Sequence, residues 1–255
     1  IVQAYAYGKY LGELNVTFDD DGNLTEAKGE PVLIDASVAE DDATVARIAE
    51  LAAPLEEIRN KVVAQTSEAI GGDREVCRVQ ECTMGNLIAD AMLARVADQG
   101  VVIALQNSGG IRASIDAGEV TMGEVLTVLP FQNTLSTFEV TGATLVEALE
   151  NGVSQVEETA GRFLQVAGMT YAFDVTAPVG SRVSDVMIGG QPVEMDKVYG
   201  VVSNDYVRNG GDGFGMFKTA ANAYDFGPDL ADVTAEFIAQ NAPYQPYTDG
   251  RVTKK

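Results

Sequence analysis

Two glycine-rich polar stretches hold the residue types best suited to chemistry. Asn107 to Arg112 reads Asn-Ser-Gly-Gly-Ile-Arg and Asn209 to Phe214 reads Asn-Gly-Gly-Asp-Gly-Phe, and each follows a β-branched apolar run. Glycine lets the backbone turn sharply and lets a ligand approach main-chain amides, while the interleaved Asn, Arg and Asp supply direction and charge. Two such loops at strand ends point to one shared site for a small polar anion with a flat ring. Four groups can converge there: Arg74 with Arg78, Asn107 with Gly109 and Arg112, Phe131 in Leu129-Pro130-Phe131, and Tyr206 with Asp212. Guanidinium forks match phosphate oxygens. An aromatic ring in each of two separate loops can sandwich a base, an interaction worth about 1 to 3 kcal/mol per base. Asp212 can accept from ribose hydroxyls, and Asn107 can offer its amide to a ring nitrogen.

Each residue also has a plainer reading that the sequence leaves open. Phe131 and Tyr206 can plug the core, Arg78 can pair with Glu75 or Glu81, and Asp212 can cap a turn. Glycines serve turns everywhere. The combination, not any single residue, carries the ligand-site expectation.

Composition narrows the chemistry. The chain has 0 histidines in 255 residues, so the commonest transition-metal ligand and the commonest general base are both missing. Lys+Arg of 17 against Asp+Glu of 38 gives a formal charge of −21, which opposes binding to nucleic acid or to an anionic membrane surface. The acidic residues are scattered through well-patterned segments, as on a solvated acidic surface of the kind a salt-tolerant or marine source favours. A 255-residue chain that is 46% hydrophobic can bury one large core, or one core plus an appendage. No apolar run approaches the roughly 18 to 20 residues that cross a bilayer, so no membrane span is expected. The start Ile-Val-Gln-Ala lacks the features of a signal peptide, so any targeting signal is expected to lie outside this sequence. Cys77 and Cys82 are the two cysteines. A disulfide between them would contribute about 2 kcal/mol in the chain-entropy picture and persist in an oxidising compartment such as the periplasm. Two buried free thiols are the alternative, and a zinc site is disfavoured because two thiolates without histidine leave the tetrahedron incomplete.

The elements that must position these residues follow from periodicity. Residues 1 to 35 alternate as a β-hairpin turning at Asp20-Asp21-Gly22-Asn23; an EF-hand reading fails there, because Thr17 and Lys28 fall on ligand positions. Val45, Ile48, Leu51, Leu55, Ile58 and Val62 share one face of a helix from Asp41 to about Ile70, capped by Asp41 or Asp42 and kinked or divided at Pro54. That helix either connects two bodies or packs on its own domain. Met84 to Val96 predicts a buried helix, and Val101 to Leu105 a core strand feeding the first glycine-rich loop. A strand at Leu135 to Val140, a helix at Thr144 to Val156, strand pairs in Phe163 to Val175 and Val183 to Val193, a strand at Lys197 to Ser203 and a helix from Asp229 to Gln240 follow. The mixture favours an α/β or α+β domain with mixed sheets.

The stretch Cys77-Arg78-Val79-Gln80-Glu81-Cys82-Thr83-Met84-Gly85-Asn86-Leu87, taken with the two glycine-rich loops, Leu129-Pro130-Phe131 and the end Asp249-Gly250-Arg251-Val252, resembles the C-terminal substrate-binding domain of 5'-nucleotidases and UDP-sugar hydrolases. The resemblance runs from about residue 70 to that end. It implies a four-layer α/β/β/α fold for residues 71–255, with 37–70 as an interdomain linker helix and 1–36 as a hairpin left from the N-terminal metallophosphatase domain. It also implies that Phe131 and Tyr206 stack on the two faces of a base, Asn107 touches the base edge, Asp212 the ribose, and Arg78 and Arg112 the phosphate and sugar side. Arg74 matches only some relatives, and Tyr206 stands where phenylalanine is expected. The cysteine pair matches a disulfide found in part of the family. The implied partners are a nucleotide or nucleoside ligand and a metallophosphatase domain of the same parent chain, which would hold two divalent ions such as zinc or manganese and the catalytic histidine. The implied location is periplasmic or extracellular. The implied activity is hydrolysis of nucleoside 5'-monophosphates, with this piece binding and not hydrolysing. The alternatives are a free-standing nucleoside-binding module, or the equivalent domain of a UDP-sugar hydrolase or a 2',3'-cyclic-nucleotide phosphodiesterase.

Overall fold

The computed structural model describes all 255 residues, and the chain divides into two units, Ile1–Leu55 and Glu56–Lys255. In the first unit, β1 (Tyr10–Gly12), β2 (Asn15–Phe18), β3 (Leu24–Lys28) and β4 (Pro31–Leu33) form two antiparallel ladders, β2 with β3 and β1 with β4. The acidic turn after β2 is closed by Asp19, whose carboxylate accepts from the backbone N–H groups of Asp21 and Asn23 and from the Asn23 side chain. Those bonds hold the Asp19 carboxyl below its ordinary range.

Helix α1 (Asp42–Arg59) starts where Asp41 Oδ1 accepts from the Thr44 N–H at 2.8 Å, the expected cap. It runs through Pro54 without dividing. It stops at Arg59 rather than near Ile70, because Val62 to Thr66 become a strand. β-Branched residues such as Val62 and Val63 lose rotamer freedom in a helix and fit a pleated ladder well. The stripe of Val45, Ile48, Leu51, Leu55 and Ile58 is exposed throughout, and α1 buries no residue.

After α1 come β5 (Val62–Thr66), α2 (Arg74–Cys77), α3 (Thr83–Arg95), β6 (Val101–Asn107), β7 (Gly118–Thr121), α4 (Met122–Val128), β8 (Leu135–Thr141) and α5 (Gly142–Val153). The remainder is β9 (Leu164–Ala167), β10 (Met169–Phe173), β11 (Val183–Ile188), β12 (Gln191–Pro192), β13 (Val198–Asn204), α6 (Asp205–Arg208), β14 (Ala221–Tyr224), α7 (Leu230–Gln240) and β15 (Val252–Lys254). Five strands form one sheet in the order β14-β8-β13-β6-β9, and four form another in the order β12-β11-β10-β15. Each sheet holds one parallel pair, β13 with β6 and β10 with β15, among antiparallel neighbours. This is the mixed α/β architecture expected from the sequence.

Side-chain alternation gives the five-stranded sheet two buried faces. Ala104, Ala167 and Val202 face Leu87, Ile88 and Met92 of α3, with α7 beside it. On the other face Ile103, Leu105, Val201 and Phe138 pack with Leu145 and Leu149 of α5 and with Tyr171, Phe173 and Val186 of the second sheet. Complete burial of one such side chain stabilises by about 1.5 to 3 kcal/mol. The stretch Phe163 to Val175 is not a hairpin of two paired strands: β9 pairs with β6, while β10 pairs with β11 and β15. Gly168, at φ +75°, makes the switch between sheets, and a Cβ there would lie 1.9 Å from the Val102 carbonyl oxygen. The C-terminal segment is latched by buried Arg251, which donates to Asp90, Asp249, the Tyr247 hydroxyl and the Val166 carbonyl.

One consequence of the topology positions the site. Because β6 and β13 are parallel neighbours, with Leu105 opposite Ser203, both glycine-rich stretches leave the sheet from the same carboxyl end, where ligand loops gather in α/β sheets.

Candidate binding site

From the end of β6 the chain enters Ser108 to Arg112, and from the end of β13 it enters α6 with Tyr206, then Gly210 to Phe214. Phe131 arrives from the connection between α4 and β8. These segments meet around a cavity of about 530 Å³ lined by Arg78, Asn107, Gly109, Gly110, Arg112, Phe131, Asn133, Gly161, Tyr206 and Asp212. Of the residues singled out from sequence, Arg74 alone does not line it. Phe131 is 56% exposed and Tyr206 48% exposed, so neither ring is a core plug.

A chain of hydrogen bonds joins the two loops. Asp212 Oδ2 accepts from Asn107 Nδ2 at 2.8 Å, and Asp212 Oδ1 accepts from the Tyr206 hydroxyl at 3.0 Å. Asn107 Oδ1 in turn accepts from Asn204 Nδ2 at 2.9 Å, and Asn204 Oδ1 accepts from the Val207 N–H. Asp212 therefore links two loops rather than capping its own turn. Burial, and then the bond to Asp212, raise the Tyr206 phenol above its ordinary pKa, so the hydroxyl stays protonated and a donor at neutral pH. Glycines allow the close approaches: a Cβ on Gly109 would lie 3.0 Å from the Gly161 Cα, and one on Gly211 would lie 2.4 Å from the Tyr206 ring.

The cationic end is built differently. Arg78 is 8% exposed, donates one N–H to the Thr159 carbonyl at 3.2 Å, and keeps a buried Nε with no partner. No carboxylate forms an ion pair with Arg74, Arg78 or Arg112. Glu81, one of the acids that could have paired with Arg78, instead accepts from Asn86 and from the backbone N–H groups of Asp249 and Gly250. Burial first, then the charges of Arg74 and Arg112, push the Arg78 pKa down. The Arg112 guanidinium lies 5.8 Å from the centre of the Phe131 ring and donates to the Gly109 carbonyl. In a chain of net charge −21, the Arg78 and Arg112 guanidinium groups lining this cavity without an ion-pair partner, offset only in part by the charges of Asp212 and Glu75, are a local anion attractor.

Arg78 sits in a loop closed by a disulfide between Cys77 and Cys82. Gln165, fully buried on β9, spans the same loop: its Nε2 donates to the Cys77 and Gln80 carbonyls, both at 2.8 Å, and its Oε1 accepts from the Cys82 N–H at 3.2 Å. Gln165, Asn204, Asn133, Gly110 and Gly161 were not singled out from sequence. A glutamine inside an otherwise apolar strand was the available signal, since a buried amide must find partners. No group of three His, Cys, Asp or Glu side chains is placed to hold a metal ion, so the residues present do not fit a divalent metal centre.

The sequence pattern of the family described as "5'-nucleotidase, C-terminal domain" matches residues 62–219, more than half of the chain. This chain belongs to the 5'-nucleotidase C-terminal domain family. It is 36% identical over 270 residues to the 5'-nucleotidase of Rattus norvegicus, covering 99% of this chain and 47% of that protein. It is 39% identical over 261 residues to the trifunctional nucleotide phosphoesterase protein YfkN of Bacillus subtilis (strain 168), covering 99% of this chain and 18% of that protein. Among solved structures, a 5'-nucleotidase precursor from Thermus thermophilus superposes with a TM-score of 0.80 at 41% identity, covering 99% of this chain and 51% of that chain. The chain thus spans about half the length of the rat enzyme and of the Thermus protein.

Proposed function

We propose that this chain is the nucleotide-recognition part of a metal-dependent 5'-nucleotidase that hydrolyses nucleoside 5'-monophosphates. The observation that carries this reading is Arg78, a buried guanidinium without a carboxylate partner, which faces the same cavity as two half-exposed aromatic rings. A planar base between Phe131 and Tyr206 would present its ribose to Asp212 and its phosphate to Arg78 and Arg112. Asn107 has spent one amide hydrogen on Asp212 and keeps the second for the base edge. Gly109 lets the ligand approach the backbone of the first loop.

In this reading the metal ions belong to a preceding metallophosphatase domain, to which residues 1–36 contribute a hairpin; the linker expected over 37–70 shortens to α1, because β5 pairs with β7 inside the binding domain and the matched family pattern begins at residue 62. When bound there, the ions would supply an activated water and neutralise charge at phosphorus. The contribution of this chain is orientation and electrostatic clamping of the substrate. The exposed apolar stripe of α1 supports a partner body and disfavours a self-sufficient module. The disulfide supports a periplasmic or extracellular setting. The acidic balance suits a salt-tolerant source. The 39% identity to a protein named a trifunctional nucleotide phosphoesterase supports a range of nucleotide esters wider than monophosphates.

Calorimetry with AMP, adenosine, UDP-glucose and 2',3'-cyclic AMP ranks the ligands; AMP is expected to bind best. A phosphate-release assay of the same chain with added Zn²⁺ or Mn²⁺ is expected to show no turnover. Failure to bind any nucleotide, or turnover by the pure chain, would defeat the reading.

A further inference from the structure

The exchange of tyrosine for the expected phenylalanine at position 206 leaves the stacking face unchanged and adds one hydroxyl, which the structure puts to a definite use. That oxygen donates to Asp212 Oδ1 at 3.0 Å and accepts from the Asp212 backbone N–H at 3.2 Å, so one atom grips both the side chain and the main chain of the same residue. Asp212 needs such a grip. Its φ is +52°, in the left-handed region that aspartate tolerates better than most side chains but still at a cost, and Gly210 and Gly213 in the same loop are left-handed as well. The remaining restraints are the bond from Asn107 to Oδ2 and the bond from Asn151 Nδ2 to the Asp212 carbonyl.

We infer that the Tyr206 hydroxyl is a positioning group that sets the Asp212 carboxylate to receive a vicinal diol, and so makes the site selective for ribonucleosides over their deoxy forms. The inference rests on the reading of this cavity as a nucleoside site with Asp212 toward the ribose. Each Asp212 oxygen accepts one internal bond and retains acceptor capacity, and two carboxylate oxygens held at a fixed angle match two adjacent hydroxyls. The same ring rests against Gly211, where a Cβ would lie 2.4 Å from it, so the ring plane and the carboxylate move as one piece. A base stacked on the open face of Tyr206 is therefore in register with the acceptor for its own sugar. Phenylalanine would stack equally well and leave both Asp212 Oδ1 and the Asp212 N–H without this partner.

The test compares the wild-type chain with Tyr206→Phe and Asp212→Asn, by calorimetry with adenosine, 2'-deoxyadenosine, 3'-deoxyadenosine and 2',3'-dideoxyadenosine. The wild type is expected to favour adenosine over the dideoxy form by about tenfold, the scale of a hydrogen bond to a charged acceptor. In Tyr206→Phe the ratio of adenosine to dideoxyadenosine affinity, read within the variant, should shrink below about threefold. Asp212→Asn should shrink it likewise, and adding Tyr206→Phe to Asp212→Asn should change it little further. A preference that survives in Tyr206→Phe, or equal weakening of all four ligands, would overturn the inference and leave the hydroxyl a purely structural group. A preference that survives in Asp212→Asn would overturn it by removing the diol acceptor. A wild type that binds none of the four would overturn it together with the nucleotide reading itself, an outcome distinct from the others.

Discussion

Arg78→Met should stabilise the fold and disable the site. The guanidinium is 8% exposed, forms one neutral hydrogen bond, and faces two further arginines with no ion pair. Removing a poorly solvated, unpaired ion relieves a penalty that amounts to several kcal/mol in a closed interior. Here the cavity admits water, which lowers that penalty to about 2 kcal/mol, and the lost bond to Thr159 subtracts about 1 kcal/mol. Methionine keeps most of the aliphatic packing, so the net gain is about 1 kcal/mol, or about 2 to 4 °C in Tm for a unit of this size. On the proposed reading the same change removes a charge-assisted contact to phosphate worth about 1.5 to 3 kcal/mol, a loss of about 10- to 150-fold in AMP affinity. Adenosine should bind within about twofold of wild type, because it has no phosphate to lose. Calorimetric melting and titrations with both ligands read these quantities. A fall in Tm, with equal weakening of AMP and adenosine, would show that Arg78 is structural and would refute the reasoning.

Three other outcomes are expected. Phe131→Ala should weaken adenosine binding by about 1 to 3 kcal/mol with Tm nearly unchanged, and Tyr206→Ala should weaken it likewise while costing about 1 kcal/mol of stability for its two lost bonds to Asp212, as titration and melting would show; a collapse in Tm would mean that the rings hold the core. Gln165→Leu strands the Cys77 and Gln80 carbonyls and the Cys82 N–H, so it should cost about 2 to 3 kcal/mol in denaturant titration and weaken AMP more than adenosine, because the loop it frees carries Arg78. Asp249 is held below the ordinary carboxylate value of 3.8, first by its hydrogen bond from Arg251. The unfolded chain therefore takes up that proton first, and the stability Asp249 contributes is complete above about pH 4 and is lost as pH falls through the folded value. Asp249→Asn should flatten the dependence of the melting temperature on pH below about pH 4, and an unchanged slope would contradict the assignment.

Much of the site was legible in the sequence because its chemistry is concentrated in loops. Asn107, Arg112 and Asp212 are polar or charged residues in glycine-rich stretches that follow apolar runs, Tyr206 lies just before the second stretch, and the parallel pairing of β6 with β13 carries both loops to one end of the sheet. The supports were less legible because their signals are tertiary. Gln165 reads as one polar residue in a strand, and its role depends on a disulfide loop more than eighty positions away. Asn204 mirrors Asn107 only once the strands are seen to be adjacent. The spacing overruns the end of α1 because the i, i+3 and i, i+4 pattern continues through Val62, where pairing with Gly118 to Thr121 outweighs helical continuation. The pairing of Phe163 to Val175 is hidden for a related reason: alternation marks both strands, but that β9 pairs with β6 while β10 pairs with β11 and β15 is a tertiary fact.

A crystal structure of this chain soaked with AMP tests the central claim most directly. The account predicts the adenine ring between Phe131 and Tyr206, the ribose diol on Asp212, and the phosphate within hydrogen-bonding distance of Arg78 or Arg112. AMP bound at another surface, or seated in the cavity with its phosphate turned away from the arginines, would contradict it.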